Sequence, residues 1–296
     1  MLQQTRVAVA VERYGDFLRR FPTVEKLSRA DSSDVLAAWS GLGYYRRARA
    51  LHAAAQFIMK NHGGELPRQA DALATLPGIG RYTAAAIASI AFDEPVAVVD
   101  GNVERVLVRF YGQPQRDSWI RASELLDRKR PGDHNQAMME LGATVCLPTR
   151  PLCTRCPIRR YCTTRGEFPM GKRVRRKKQR VAYALSIQDG LIFLVQRPAN
   201  VALMPGMWEL PPTQLRRSPV PLLKLCHSIT NTDYVVFVFP RRAPARAKHG
   251  QWFSRAAAER LPLTGLTRKV LQKLAALTPA EWLNLALLEL HFRIKS

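Results

Sequence analysis

Acidic residues are scarce in this 296-residue sequence: 23 Asp and Glu stand against 46 Lys and Arg, a formal net charge of +23. That deficit disfavours cationic partners and favours a polyanion, of which nucleic acid is the commonest. No apolar run approaches the ~18 residues that a membrane-crossing helix requires. The apolar residues 7–11 are followed at once by Glu12 and Arg13, which excludes a signal-peptide core. A cytoplasmic protein with no membrane partner is therefore expected. Cysteine is scarce too: there are five, four of them inside residues 146–162, which is not the disulfide framework of a secreted domain. What is present is ample apolar material, 47% of residues, enough for proper cores and for one large or two ordinary domains.

The pattern along the chain changes once. Residues 1–20 read as a helix that Pro22 ends. The cluster 31–34 starts another helix ahead of Val35, Leu36 and Trp39. Residues 41–45, GLGYY, read as a turn before a long helical pattern over 46–61, which Gly63 and Gly64 stop. Val103, Val106, Leu107 and Phe110 fall at i, i+3, i+4 and i+7, an amphipathic helix. Further helical patterns cover 118–129 and 134–145. Residues 1–165 are thus predicted to form an all-α domain. Residues 171–180, GKRVRRKKQR, hold seven basic residues in ten and place a linker at 166–180, acting either as a solvated tether or as a direct DNA contact. Beyond it, strand-like runs cover 181–187, 191–195 and 234–239, with Asp189-Gly190 as a hairpin turn, and a helix covers 266–277. An α+β domain is predicted over 181–277, followed by a tail helix over 278–296 that Thr278-Pro279 introduces.

Cys146, Cys153, Cys156 and Cys162 have the spacing C-x6-C-x2-C-x5-C. Four thiolates this close in sequence can hold zinc or an iron–sulfur cluster. Zinc ribbons usually pair two C-x2-C knuckles. The single knuckle here favours one 4Fe–4S cluster, whereas Cys226 reads as a core residue.

The chain is organised around residues 76–103. Leu76-Pro77-Gly78-Ile79-Gly80 between two helical segments reads either as an ordinary αα turn or as a turn whose backbone approaches a phosphate, with the next helix's N–H groups aimed at it. Asp100 sits where a helix N-cap belongs. It is either a plain cap or a carboxylate fixed in its ionised form, able to stabilise the oxocarbenium-like state of a breaking glycosidic bond.

Taken together, the hairpin LPGIG, the aspartate of VVDGNV and the cysteine spacing resemble the endonuclease III superfamily of helix-hairpin-helix DNA glycosylases. MLQQT at 1–5, GLGYY at 41–45, DGNV at 100–103 and NQAMMELGA at 135–143 resemble its adenine DNA glycosylases (the MutY type). The resemblance implies a multidomain protein: an all-α glycosylase domain with an iron–sulfur loop, then an α+β Nudix-like domain that recognises 8-oxoguanine. It implies a monomer in the bacterial cytosol or nucleoid that excises adenine opposite 8-oxoguanine or guanine in double-stranded DNA.

The resemblance assigns catalysis to Asp100, Asn102 and Tyr82. It assigns DNA contact to Gln3, Gln4, Thr5, Leu42, Tyr44, Gly78, Ile79, Gly80, Arg81 and Thr230, with Gln4 and Tyr44 as wedges in the duplex. Gln136 and Glu140 fall in its adenine pocket, and Cys146, Cys153, Cys156 and Cys162 hold its 4Fe–4S cluster. Relatives that also nick the strand use a lysine after the hairpin arginine to form a Schiff base. Tyr82 follows Arg81 here, so a monofunctional enzyme is expected rather than a glycosylase/AP lyase. Residues 203–211, LMPGMWELP, resemble a Nudix strand, but the Nudix catalytic box is absent, so no nucleotide hydrolysis is expected. The family's 8-oxoguanine-reading FSH loop corresponds to 229–231, with Asn231 in place of the histidine. The family also has a glutamate just upstream of MLQQT that protonates adenine N7. An earlier gene start is expected on that ground, the alternative being a lesion-binding product with little catalysis.

Overall fold

The computed structural model describes residues 1, 5, 7–113, 117–165, 176–201, 203–215, 220–229, 231–244 and 249–275. The chain divides into two compact units, Met1–His52 with Val174–Ser296, and Ala53–Arg173.

The first unit opens with α1 (Val7–Arg20), α2 (Val24–Ser28) and α3 (Ser32–Ala38) and includes the start of α4 (Arg46–Asn61). α1 begins at Val7 rather than Met1. Thr5 sits in a bend, and its hydroxyl donates to the Leu42 carbonyl at 3.2 Å, which turns the chain off the helical path. α2 has no counterpart in the sequence reading. Its N-cap is Thr23, whose hydroxyl accepts from the Lys26 N–H at 3.1 Å.

The second unit contains α5 (Ala70–Leu73), α6 (Arg81–Phe92), α7 (Gly101–Tyr111), α8 (Ser118–Leu125) and α9 (Pro131–Glu140), then a π turn at Leu141–Val145 and two 3-10 turns at Cys153–Arg155 and Arg159–Tyr161. α8 stops four residues before Lys129, because the Asp127 carboxylate accepts the N–H groups of Lys129 at 2.9 Å and Arg130 at 3.3 Å and closes a turn. Pro131 then opens α9 ahead of His134, at the helix position where its missing N–H costs nothing. The buried face of α7, Val103 and Leu107, packs with Ala97 and Ala122 and is flanked by Met138 and Met139.

The strands belong to the first unit: β1 (Lys177–Leu185), β2 (Ile187–Gln188), β3 (Leu191–Gln196), β4 (Trp208–Glu209), β5 (Pro212–Thr213), β6 (Leu223–Ile229), β7 (Thr232–Pro240) and β8 (Gly250–Ser254), followed by α10 (Arg255–Arg260) and α11 (Gly265–Ala275). One mixed sheet has the order β5-β1-β7-β6, with β1 parallel to β7. In the other sheet β3 pairs with β8 on one edge, and with β2 and then β4 on the other. β1 starts inside the expected linker: Lys177–Arg180 pair with residues 232–235 while remaining exposed, so backbone pairing extends the strand into the basic stretch. The Asp189-Gly190 turn joins β2 to β3 with both residues at positive φ, the conformation of a tight hairpin. Leu194, Leu210, Val236, Val238, Leu263 and Val270 are each no more than 1% exposed and form the core of this α+β part. The expected tail helix 278–296 lies outside the described residues. Among the described residues no helix is long and apolar enough to cross a membrane.

Candidate active site

Asp100 caps α7. Its Oδ1 accepts the N–H groups of Asn102 at 2.8 Å and Val103 at 2.7 Å, and its Oδ2 accepts from Asn102 Nδ2 at 3.2 Å. Three donors and the positive end of the helix fix the half-buried carboxylate in place. The apolar run that delivers it, residues 96–99, is held by Asn135. That buried amide accepts the Val98 N–H at 3.1 Å and donates to Val96 O and Ser89 Oγ, both at 2.9 Å. Tyr82, on the first turn of α6, is close enough to Asp100 to feel its charge. Burial first, then that carboxylate, raises the phenol's pKa, so Tyr82 stays a neutral donor. Its hydroxyl reaches Met139 Sδ at 3.5 Å.

Two buried arginines on α7 tie this cap to the cysteine loop. Arg105 donates to Asn102 Oδ1 at 2.9 Å, Gly142 O at 2.6 Å and Cys146 O at 2.8 Å. One turn on, Arg109 donates to Cys146 Sγ at 3.3 Å, Leu147 O at 2.7 Å and Pro148 O at 2.8 Å. The π turn crosses α7 so closely that a Cβ on Gly142 would lie 2.7 Å from Asn102 Cβ, which only glycine avoids. Sequence reasoning missed Arg105, Arg109 and Asn135, since no pattern in a single chain distinguishes a buried arginine on a helix flank from a solvated one.

All four expected ligands, Cys146, Cys153, Cys156 and Cys162, line one small cavity with Arg109 and Arg159. Burial first, then its three fellow cysteines, pushes the Cys153 thiol up. No three His, Cys, Asp or Glu side chains among the described residues are set to hold a single ion. The donor chemistry still suits a thiolate-held group: four sulfurs face a common space, and buried Arg109 supplies a compensating cation beside them, its Nε without a partner among the described residues.

Gln136 and Glu140 lie one turn apart on α9 and are exposed; the Gln136 amide donates to Gly132 O at 3.3 Å. Neither is hydrogen-bonded to Asp100 among the described residues. In the hairpin, Gly78 takes φ 75°, and the Ile79 N–H donates to Leu76 O at 3.1 Å. Gly80 caps α6 without a side chain, so an anion can occupy that place. Arg81 is exposed, and its guanidinium lies 4.0 Å from the Trp119 ring centre.

In the other unit, Thr5, Leu42 and Tyr44 come together. Leu42 is buried, at 4% exposure, whereas Tyr44 is 45% exposed with φ 47°. Tyr45 points inward, its hydroxyl donating to Leu263 O at 3.1 Å, so only the first of the two tyrosines is presented to solvent. Gln3, Gln4 and Thr230 lie outside the described residues. Asn231 is in the turn between β6 and β7, its carbonyl accepting from the Lys177 N–H at 2.9 Å.

The chain has counterparts among solved structures. A thermostable thymine-DNA glycosylase aligns with a TM-score of 0.53 at 27% identity, over 56% of this chain and 80% of that one. An endonuclease III in a non-covalent DNA complex aligns with a TM-score of 0.50 at 25% identity, over 55% and 79%. Residues 1–131 match the HhH-GPD superfamily of base excision DNA repair proteins. The adenine DNA glycosylase of Rattus norvegicus is 39% identical over 276 aligned residues, covering 74% of this chain and 53% of the relative. That of Homo sapiens is 48% identical over 174 residues, covering 56% and 32%. The chain thus spans about half or less of the length of these curated relatives.

Proposed function

We propose that the protein is an adenine-specific mismatch DNA glycosylase of base excision repair. Its substrate is double-stranded DNA holding adenine opposite 8-oxoguanine or guanine, and its reaction is hydrolysis of the N-glycosidic bond without strand cleavage. The observation that carries this is the Asp100 carboxylate, locked by two backbone N–H groups and the Asn102 amide beside the neutral phenol of Tyr82. A fixed anion favours the state in which positive charge builds on the sugar as adenine departs. Water then adds to the sugar carbon, its hydroxyl taking the place of adenine and its proton balancing the one the departed base takes up. Asn102 orients Asp100, Tyr82 borders the flipped nucleotide, and Gln136 and Glu140 border the adenine. The names of the aligned relatives support the substrate, and Tyr82 in the lysine position supports the absence of a Schiff base.

DNA contact falls to Gly78, Ile79, Gly80 and Arg81 at the hairpin, and to Gln3, Gln4, Thr5, Leu42 and Tyr44 at the wedge. Flipping a base costs a few kcal/mol, which inserted side chains offset. The α+β part is read as Nudix-like, recognising 8-oxoguanine through Thr230 and Asn231. Cys146, Cys153, Cys156 and Cys162 would hold a 4Fe–4S cluster, which fixes the loop presenting Arg150, Arg155, Arg159 and Arg160 to phosphates.

Single-turnover release of adenine from an 8-oxoguanine:adenine duplex tests the reading, with borohydride trapping alongside. Adenine release without a trapped adduct is the expected result. No release from any adenine mispair, or a high-yield covalent adduct, overturns it.

A further inference from the structure

Tyr44 is held in the left-handed region, a conformation that a bulky residue keeps only where its surroundings over-determine it. The group that does so is Arg47, on the first turn of α4. Its Nη2 donates to Thr5 Oγ1 at 2.8 Å and to the carbonyls of Leu42 and Gly43, each at 3.2 Å. Its Nη1 donates to Met1 O at 2.9 Å. The same guanidinium lies 5.5 Å from the ring centres of both Tyr44 and Trp39, and Trp39 Nε1 donates to Gly43 O at 3.2 Å. Thr5 closes the circuit by donating to Leu42 O at 3.2 Å.

We propose that Arg47 is a positioning residue that joins Thr5 and the 41–45 loop into one rigid wedge and sets Tyr44 for insertion into duplex DNA. This rests on the reading above that both enter the duplex. Only a guanidinium meets the geometry. It is flat enough to stack beside two rings, and its fork donates in several directions in one plane. A lysine would keep the charge yet satisfy fewer acceptors and stack on neither ring. Fixing the loop before DNA arrives also removes an ordering cost from the binding step.

The test is a titration of the full chain into a duplex carrying 2-aminopurine beside an 8-oxoguanine:adenine mispair, whose fluorescence rises when the neighbouring stack is opened. Arg47→Lys is expected to give a rise at saturation at least about twofold smaller than the wild type. Affinity for the same duplex at low salt, read by anisotropy, should stay within about twofold because the positive charge is kept. Thr5→Val, which removes the bonds of one hydroxyl, including those to Arg47 and to Leu42 O, but no charge, should lose less in the same direction. It serves as the test should Arg47→Lys fail to fold by circular dichroism. An undiminished rise in Arg47→Lys, or in Thr5→Val where that variant stands in, overturns the inference. A wild type that binds to saturation with no rise removes the wedge reading itself, and the inference with it.

Discussion

Arg105 Nη2 donates to Asn102 Oδ1 at 2.9 Å. Through that bond the side chain that completes the Asp100 cap is held by the same guanidinium that grips the Cys146 carbonyl at 2.8 Å and the Gly142 carbonyl at 2.6 Å. Arg105→Gln cannot span three acceptors on two segments. The variant should lose roughly 2–4 kcal/mol of stability, since hydrogen bonds from a charged donor contribute ~1.5–3 kcal/mol each and the abandoned carbonyls stay buried. Adenine release should fall about tenfold or more even well below the melting temperature, because a small displacement of a reacting group carries a large kinetic cost. Urea melts and single-turnover rates at a low, fixed temperature separate the two effects. Unchanged kinetics in a destabilised variant would confine Arg105 to packing.

Asp100 caps α7, and the proposed function gives it a second, catalytic role; two substitutions pull the two apart. Asp100→Asn keeps an oxygen to accept the N–H groups of Asn102 and Val103, so stability should shift by less than about 0.5 kcal/mol. Removing the charge should cost roughly 10²- to 10³-fold in adenine release. Asp100→Ala should be as inactive and additionally lose ~1 kcal/mol of helix capping. Thermal melts with single-turnover assays on both variants decide the matter. An active Asp100→Asn would leave the residue as a cap alone.

These features differ in how visible they are in the amino-acid string. The hairpin glycines, the cap at Asp100 and the four cysteines are legible because each needs a particular residue type at a fixed short spacing. The Asp189-Gly190 hairpin is legible for the same reason. Arg105, Arg109 and Asn135 are not, because their partners are carbonyls and hydroxyls up to 46 positions away, and backbone acceptors leave no mark on composition. β6 escapes because its inward series, Leu223, Leu225, His227 and Ile229, is interrupted by a polar histidine, while Cys226, expected in a core, stands on the exposed face, so the apolar alternation is lost although pairing with β7 continues. The early start of β1 escapes because Lys177, Lys178 and Arg180 read as solvated charge, while the strand needs only their backbone. GLGYY offers two adjacent tyrosines. Burial of Tyr45 against Leu263 O, a contact 218 positions away, is what tells them apart.

In the α+β part, Arg197 Nη1 donates to both carboxylate oxygens of Glu209 at 2.7 and 2.8 Å, with the side chains 22% and 10% exposed. Burial raises the Glu209 pKa above its ordinary 4.5, and the arginine pulls it back down. Arg197→Met removes the pull and leaves a buried lone acid, a change worth about 3–5 kcal/mol at neutral pH. With its folded pKa raised further, Glu209 holds a proton that the unfolded chain has already lost. The penalty is therefore present at neutral pH and relieved as pH falls toward the unfolded value. Arg197→Met with Glu209→Gln should recover much of the loss. Urea melts at about pH 7 and about pH 5 check both points. A penalty that stays constant with pH would mean that Glu209 does not titrate in the variant.

Two histidines set the opposite slope. His134 is held below its ordinary 6.5 by burial, with Asp127 opposing, and His227 by burial and then by the cation of Lys269. For both, the unfolded chain binds protons that the folded chain refuses. The stability they contribute is complete above pH 6.5 and is lost as pH falls through that value toward the lower folded pKa values. Because buried Glu209 moves stability the other way, the whole-protein pH curve mixes the two, and single-site variants are needed. His134→Gln and His227→Gln should each flatten the fall in melting temperature between about pH 7.5 and about pH 5.5, and the double variant should flatten it most. Histidine NMR titrations in the folded protein should place both groups below 6.5. A steeper fall in either variant would reverse the sign of that residue's contribution.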